Sequence, residues 1–455
     1  MRYFLDPFGC VKNQVDAEIM MSHLEKAGWE NTSSDEADLI IVNSCGFIES
    51  AKQESINAVI GWRKLYPGKK ILLAGCLAQR YKKELAESLT EADGFFGIEN
   101  MAQITQAALK TLKGESAAQT GIIHPQQDVF MQGERPLLSL PGSAYVKISE
   151  GCNNCCSYCA IPLIRGKLSS RTIPDILEEC RALLARGIKE LCIVAQDIGS
   201  FGISESEDIA LTGKLPELLN AISLLKGHFW IRLLYIHPDH FPLQILDLME
   251  KDTRFLPYFD IPFQHASDKI LSAMNRRGNA LQYLKLIDTI RKRLPDSVIR
   301  STFLLGFPGE TEDDFSALLD LQEKAALDWL GCFTYSREED TAACSMKGRV
   351  SRKTAEERRQ KIEERQIRIT EKNIDRFVGR TMEVLLEEQI DGGGENFILG
   401  RLYCQAPDID GAAVICHPLG AFGSETDRIS ERIGNLSPCK VTARRGFDLE
   451  VKLLS

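Results

Sequence analysis

Short apolar runs alternate with amphipathic stretches twice along this chain, over residues 1–115 and again over 142–350. Such alternation restricts the fold to parallel sheets covered by helices, an α/β class. In the first segment the strand-like runs are 3–5, 38–43 and 70–74, and Ala17, Met20, Met21, Leu24 and Ala27 recur at helical spacing before a stop at Gly28. In the second, the runs 144–148, 190–195, 230–236, 258–262, 298–305 and 329–335 are each followed by a helical stretch. Six βα units predict a partial (β/α)6 barrel with its reactive ends at the strand C-termini.

The rest of the chain divides around these two segments. Residues 116–141 lack periodicity and read as a linker. Residues 351–376 form a highly charged helix, expected to be solvated and braced by Glu357–Lys361 and Glu364–Arg368 pairs, and they trail the barrel to make one domain of 142–376. From 377 to 455 the strand-like runs 382–386, 412–416, 440–443 and 449–453, separated by Gly and Pro, predict a small all-β barrel.

Two cysteine sets stand out against this frame. Cys152, Cys156 and Cys159 have the spacing C-x3-C-x2-C at the end of the first barrel strand. Three thiolates can hold three irons of a 4Fe-4S cluster, whereas an ordinary site supplies four. A small molecule is then needed to complete the fourth iron. Cys155 makes the same run readable as two abutting C-x2-C pairs for zinc, but structural zinc pairs are normally well separated and adjacent Cys155 and Cys156 cannot easily face one ion. Cys155 is then a bystander. Cys10, Cys45 and Cys76 lie far apart in sequence, yet each follows one of the three N-terminal strands. The strand ends of a parallel sheet share one edge, where ligands of open α/β sheets bind, so the fold predicts a second three-thiolate site. Gly9, Gly46 and Gly75 beside them permit close backbone approach. Cys180, Cys192, Cys332, Cys344, Cys404, Cys416 and Cys439 show no such register and read as core or surface residues.

Composition narrows the function classes. No run reaches the 18 or so apolar residues of a membrane span and the start is too polar for a signal peptide, so a cytoplasmic protein without membrane attachment is expected. In a reducing compartment 14 cysteines suggest metal ligation rather than disulfides. A net charge of −9 argues against dedicated nucleic-acid binding. Residues 378–455 carry eight basic and twelve acidic side chains, an excess of negative charge that suits a basic protein partner.

Two three-cysteine sites on an α/β domain, a partial barrel and a β domain resemble the radical S-adenosylmethionine (SAM) methylthiotransferases over essentially the whole chain, and the last domain resembles a TRAM module. The resemblance is carried by Gly9-Cys10-Val11-Lys12-Asn13-Gln14-Val15-Asp16, by the segment from Asn43 to Ser55, by Tyr158 before the last cysteine of its run, and by Asp260-Ile261-Pro262-Phe263-Gln264-His265-Ala266-Ser267. It is nearest to the branch that modifies an aspartate of small-subunit ribosomal protein twelve. The β-carbon of aspartate is too weakly acidic for any side-chain base, so radical chemistry is called for.

That resemblance implies two 4Fe-4S clusters and SAM. The cluster on Cys152, Cys156 and Cys159 would bind and cleave SAM to a 5'-deoxyadenosyl radical. The cluster on Cys10, Cys45 and Cys76 would carry the sulfur, methylated by a second SAM. It further implies ribosomal protein twelve as partner, a reductant such as flavodoxin or ferredoxin, and SAM contacts from Tyr158, Gln196, Arg300 and the turn at Gly306. Arg165 and Arg171 read equally as positioners of carboxylates or as surface charge. Two other readings stay open at this point, a transfer-RNA adenosine methylthiotransferase and a non-enzymatic metal-stabilised binding protein.

Overall fold

In the computed structural model, residues 1–115, 135–203, 213–392, 395–417 and 431–454 are described, without the side chains of 391–396 and 416–417. The N-terminal sheet has five parallel strands in the order Glu30–Asn31, Arg2–Pro7, Leu39–Ser44, Lys70–Gly75 and Gly94–Phe96. Leu39, Ile40, Ile41 and Val42 are buried on both faces, as a strand covered by helices on each side must be. The chain leaves Arg2–Pro7 for one edge and returns to the other side of it. The point where strand order reverses therefore falls between Arg2–Pro7 and Leu39–Ser44.

All six expected barrel strands form, as Ser143–Lys147, Glu190–Val194, Trp230–Leu233, Phe255–Asp260, Val298–Leu305 and Trp329–Thr334, parallel and in sequence order. Local signals set the intervening helices. Asn279 with Gln282 and Thr311 with Asp314 close reciprocal capping boxes on Ala280–Arg293 and Glu312–Ala325. The helix Arg352–Ile374 departs from its expected solvation. Ala355, Arg358, Ile362, Gln366, Thr370 and Ile374 repeat every three or four residues and are buried against the last barrel strands. Its exposed pairs also differ from those expected: Glu357 meets Lys353, and Lys361 lies over the Phe315 ring.

Of the expected linker, 116–134 lie outside the described residues, and 135–141 are anything but loose. Arg135 is buried between Glu18 of the first domain and Glu179 of the barrel, while Leu138 N–H donates to Glu18 Oε1 at 2.9 Å. This strap ties the two domains together. Among the described residues no helix is long and apolar enough to cross a membrane.

The C-terminal strands Thr381–Gly392, Glu395–Arg401, Ala413–His417, Asp448–Leu453 and Leu436–Arg445 close into a barrel, including a strand at Glu395–Arg401 that the sequence pattern missed. This barrel is set into the lower end of the larger one. Arg401 bonds Glu190 and Glu387, Arg232 bonds Glu190 at 2.7 Å, Tyr258 Oη donates to Asp410 at 2.6 Å, and Trp329 Nε1 donates to Cys404 O at 2.8 Å. Glu190, Trp230 and Trp329 begin their strands, so the contact lies at the strand N-termini, opposite the reactive ends. Several of the charges counted in 378–455, Arg401, Glu387 and Asp410 among them, are thus spent inside the molecule.

Burial raises the Glu190 carboxyl pKa, but Arg401 and Arg232 outweigh it and hold the group down to about 2. Its stabilising contribution is therefore present above the ordinary carboxylate range and is lost as pH falls toward 2. Arg401→Met leaves Glu387 without its partner and Glu190 with one cation. The expected loss is about 3–5 kcal/mol, measured as a lowered urea midpoint of the full chain. A loss below about 1 kcal/mol would show the cluster to be dispensable.

Candidate functional site

Cys10, Cys45 and Cys76 follow the three adjacent strands Arg2–Pro7, Leu39–Ser44 and Lys70–Gly75 and flank the point where strand order reverses. Their loops touch. A Cβ on Gly9 would stand 3.0 Å from Cys45 Cβ, and one on Gly46 would stand 2.6 Å from the Cys76 carbonyl oxygen. The glycines thus draw the cysteine loops onto one another, a different use from the cofactor approach expected of them. Cys10 caps the helix Val11–Lys26. Burial raises its thiol pKa, but the Lys12 ammonium, the Arg165 guanidinium and the backbone N–H groups of Asn13 and Lys12 outweigh it and lower the value. Burial pushes Cys45 up and Cys76 up to about 12, with Cys10 adding to both. Cys10 is exposed while Cys45 and Cys76 are buried, so the set opens at Cys10.

The second set sits on a loop at the C-terminal end of the first barrel strand. That loop is pinned at many points: Cys152 N–H to Gly166 O at 3.2 Å, Asn154 Nδ2 to Asp197 at 2.9 Å, Ser157 N–H to Met274 O at 3.1 Å, and Asn275 Nδ2 to Cys155 O at 2.9 Å. Burial pushes Cys152 well up and Cys159 up to about 12, with the neighbouring Cys156 adding to both. Cys155 takes a left-handed backbone (φ 51°) and is exposed. Among the described residues no three His, Cys, Asp or Glu side chains converge on the point a single ion would occupy. In each set the cysteines lie close enough for one thiol to raise the pKa of another, and thiolates are the donors that iron–sulfur clusters take.

One buried network joins the N-terminal set to Glu150, at the foot of the barrel loop that carries the second. Arg165 donates to Cys76 Sγ at 3.1 Å, Asn13 Oδ1 at 2.5 Å, Asp16 Oδ2 at 2.8 Å and Glu150 Oε1 at 2.9 Å. Lys147 bonds Asp16 and Glu150 from the other side. The N-terminal sheet edge that carries one set is thus held against the barrel mouth that carries the other, and Cys10 is exposed to a chamber at this junction. The reading of Arg165 and Arg171 as surface charge is overturned. Arg165 bridges the N-terminal domain and the barrel, and Arg171 is buried on Asp175 and Glu179, where it holds the barrel wall.

The residues expected to meet SAM fall in different surroundings. Tyr158 lies by Cys156 and Cys159, its Oη accepting from Arg276 at 3.2 Å. Gln196 donates to Glu150 at 2.8 Å, and its buried Oε1 has no partner among the described residues, an acceptor available to a ligand amine or hydroxyl. Arg300 is bonded to Asp260 at 3.2 Å and lies 3.7 Å from Asp410, meeting the chamber on its Tyr235 side. Gly306 donates its N–H to Glu310 at 2.7 Å and packs on Ala355, beside a cleft of about 710 Å³ between the first domain and the barrel. Sequence reasoning missed Lys12, Asn13, Asp16, Lys147, Glu150, Tyr235 and Arg276 as site residues. The available signal was polar residues at Asn13 and Asp16, three apart on a helix face that is otherwise core.

Of the six other cysteines with described side chains, Cys180, Cys192, Cys404 and Cys439 are buried and Cys332 and Cys344 half-buried, while the side chain of Cys416 lies outside the described residues.

Comparison with known proteins adds three family matches. Residues 2–97 match the uncharacterized protein family UPF0004, 146–321 the radical SAM superfamily and 378–454 a TRAM domain. A ribosomal protein uS12 methylthiotransferase RimO of Treponema denticola is 47% identical over 98% of this chain and 99% of its own length. Its namesakes in Syntrophomonas wolfei and Aquifex aeolicus are 42% and 39% identical, covering 90% and 97% of the chain and 92% and 94% of their own. Among solved structures, the radical SAM methyltransferase TsrM of Kitasatospora setae shares the fold, with TM-score 0.54 at 15% identity over 74% of this chain and 72% of its own.

Proposed function

The chain belongs to the radical SAM methylthiotransferases of ribosomal protein uS12, and from that premise we propose which of its residues hold the cofactors and what each does. The enzyme uses an iron–sulfur cluster and SAM to methylthiolate uS12. Our reading assigns it two 4Fe-4S clusters, one on Cys152, Cys156 and Cys159 and one on Cys10, Cys45 and Cys76. When bound, the first supplies SAM cleavage and hydrogen abstraction from the β-carbon of the uS12 aspartate, and the second supplies the sulfur, with SAM also the methyl donor. The observation that supports this reading is the Arg165 network, because it ties Cys76 to Glu150, two residues before Cys152.

The chain's own groups then have distinct tasks. Arg165 offsets negative charge at Cys76 while holding the cysteine loop of the barrel against the N-terminal sheet. Tyr158 and Arg276 wall the barrel triad, and Gln196 presents its free acceptor at the barrel mouth, which suits a SAM amino group. The strap at Arg135 and the clasp of Lys52 and Arg80 on Glu338 close the two domains over the chamber and exclude water. An external reductant of the flavodoxin or ferredoxin kind supplies electrons. The test is the mass of uS12 from cells with and without this gene. One methylthio group in place of a hydrogen, localised to an aspartate and lost with the gene, is expected. An unmodified uS12, or methylthioadenosine in transfer RNA instead, would overturn the reading.

A further inference from the structure

Two buried cations around the chamber, Lys12 and Arg276, have no carboxylate partner among the described residues, and of these Lys12 is the one that faces the Cys10 thiol. Lys147 and Arg165 share Asp16 and Glu150, Arg300 is bonded to Asp260, and Arg276 donates to Pro262 O and Tyr158 Oη. Lys12 is 8% exposed and has no carboxylate partner among the described residues. Its Nζ instead lies 3.3 Å from the centroid of the Tyr235 ring. A ring face attracts an ammonium but accepts none of its hydrogen bonds in the manner of an oxygen, so three N–H donors remain for something else.

Tyr235 is itself held in an unusual way. It follows the strand Trp230–Leu233 with a left-handed backbone (φ 66°), and its N–H donates to Asp260 Oδ2 at 3.3 Å. A bulky residue keeps such a conformation only when its surroundings require it. Here the conformation places the ring under Lys12, two residues beyond Cys10, where the N-terminal sheet edge meets the barrel mouth. A buried ammonium without a carboxylate partner keeps donors to offer, and an incoming carboxylate takes them up in charge-assisted bonds.

Building on the function proposed above, we propose that Lys12, seated on Tyr235, binds the side-chain carboxylate of the uS12 target aspartate and so selects an acidic residue as substrate. The carboxylate carbon is bonded directly to the β-carbon, so anchoring one fixes the other in the chamber beside Cys10. SAM also carries a carboxylate, but Lys12 belongs to the Cys10 side of the chamber, whereas Tyr158, Cys156 and Cys159 lie on the barrel side.

The test uses reconstituted full-length enzyme with Lys12 intact, Lys12→Met or Lys12→Arg, and uS12 carrying either its target aspartate or asparagine there. Met keeps an apolar stem over the ring and removes only the charge. The unaltered enzyme is expected to favour aspartate over asparagine roughly tenfold to hundredfold in kcat/KM, as loss of a charge-assisted bond implies. Lys12→Met should abolish that preference, raise KM for the aspartate substrate and weaken uS12 binding measured without SAM; Lys12→Arg should restore the preference. Retained preference in Lys12→Met overturns the proposal, as does a defect confined to SAM affinity or to iron content. Failure of the unaltered enzyme to modify uS12 would instead strike at the functional reading beneath it.

Discussion

Alanine at Cys152, Cys156 and Cys159 together is expected to leave anaerobically reconstituted protein with about half of its ~8 irons and no ability to cleave SAM. The loop carrying these thiols is fixed by Asn154 on Asp197, Ser157 on Met274 and Asn275 on the Cys155 carbonyl, none of which uses a thiol. The variant should therefore fold, and its loss should be confined to the iron it can no longer hold. The N-terminal triad is anchored on another sheet and keeps its share. Iron and sulfide analysis with chromatographic assay of 5'-deoxyadenosine decides the matter. Full iron content, or continued SAM cleavage, would remove the barrel triad from the chemistry.

The converse substitution separates the roles of the two sites. With Cys10, Cys45 and Cys76 changed to Ala, formation of 5'-deoxyadenosine should persist while methylthiolated uS12 falls below detection. Arg165 loses one acceptor at Cys76 but keeps Asp16, Glu150 and Asn13, so the network that joins the domains survives. The residual iron should match that of the barrel site alone. Methylthiolated product from a folded triple variant would make the N-terminal cysteines structural.

Much of this arrangement was legible in the chain because it follows from strand ends. Parallel alternation by itself places Cys10, Cys45 and Cys76 on one edge and the Cys152 run at a barrel mouth. What escaped was either short or distant. Glu30–Asn31 and Gly94–Phe96 are too brief to show a period. Glu395–Arg401 was hidden by Gly400, which is required because a Cβ there would stand 2.2 Å from Leu385 O. The helix Arg352–Ile374 reads as solvated on average, since its buried stripe includes Arg358, Gln366 and Thr370, whose polar ends find partners inside. Arg165 and Lys12 gain their meaning from partners on other domains, Asp16 and Tyr235, and no local pattern encodes such pairings.

The way the last domain is seated bears on how the gene tolerates damage. Arg401, Cys404 and Asp410 complete contacts begun by Glu190, Trp329 and Tyr258, and a Cβ on Gly142, at the entrance to the first barrel strand, would stand 2.4 Å from Gly434 O. A nonsense codon near position 400 would therefore do more than trim an accessory module. It would strand a buried carboxylate and open the underside of the catalytic barrel, so that a late truncation should be as complete a null allele as an early one.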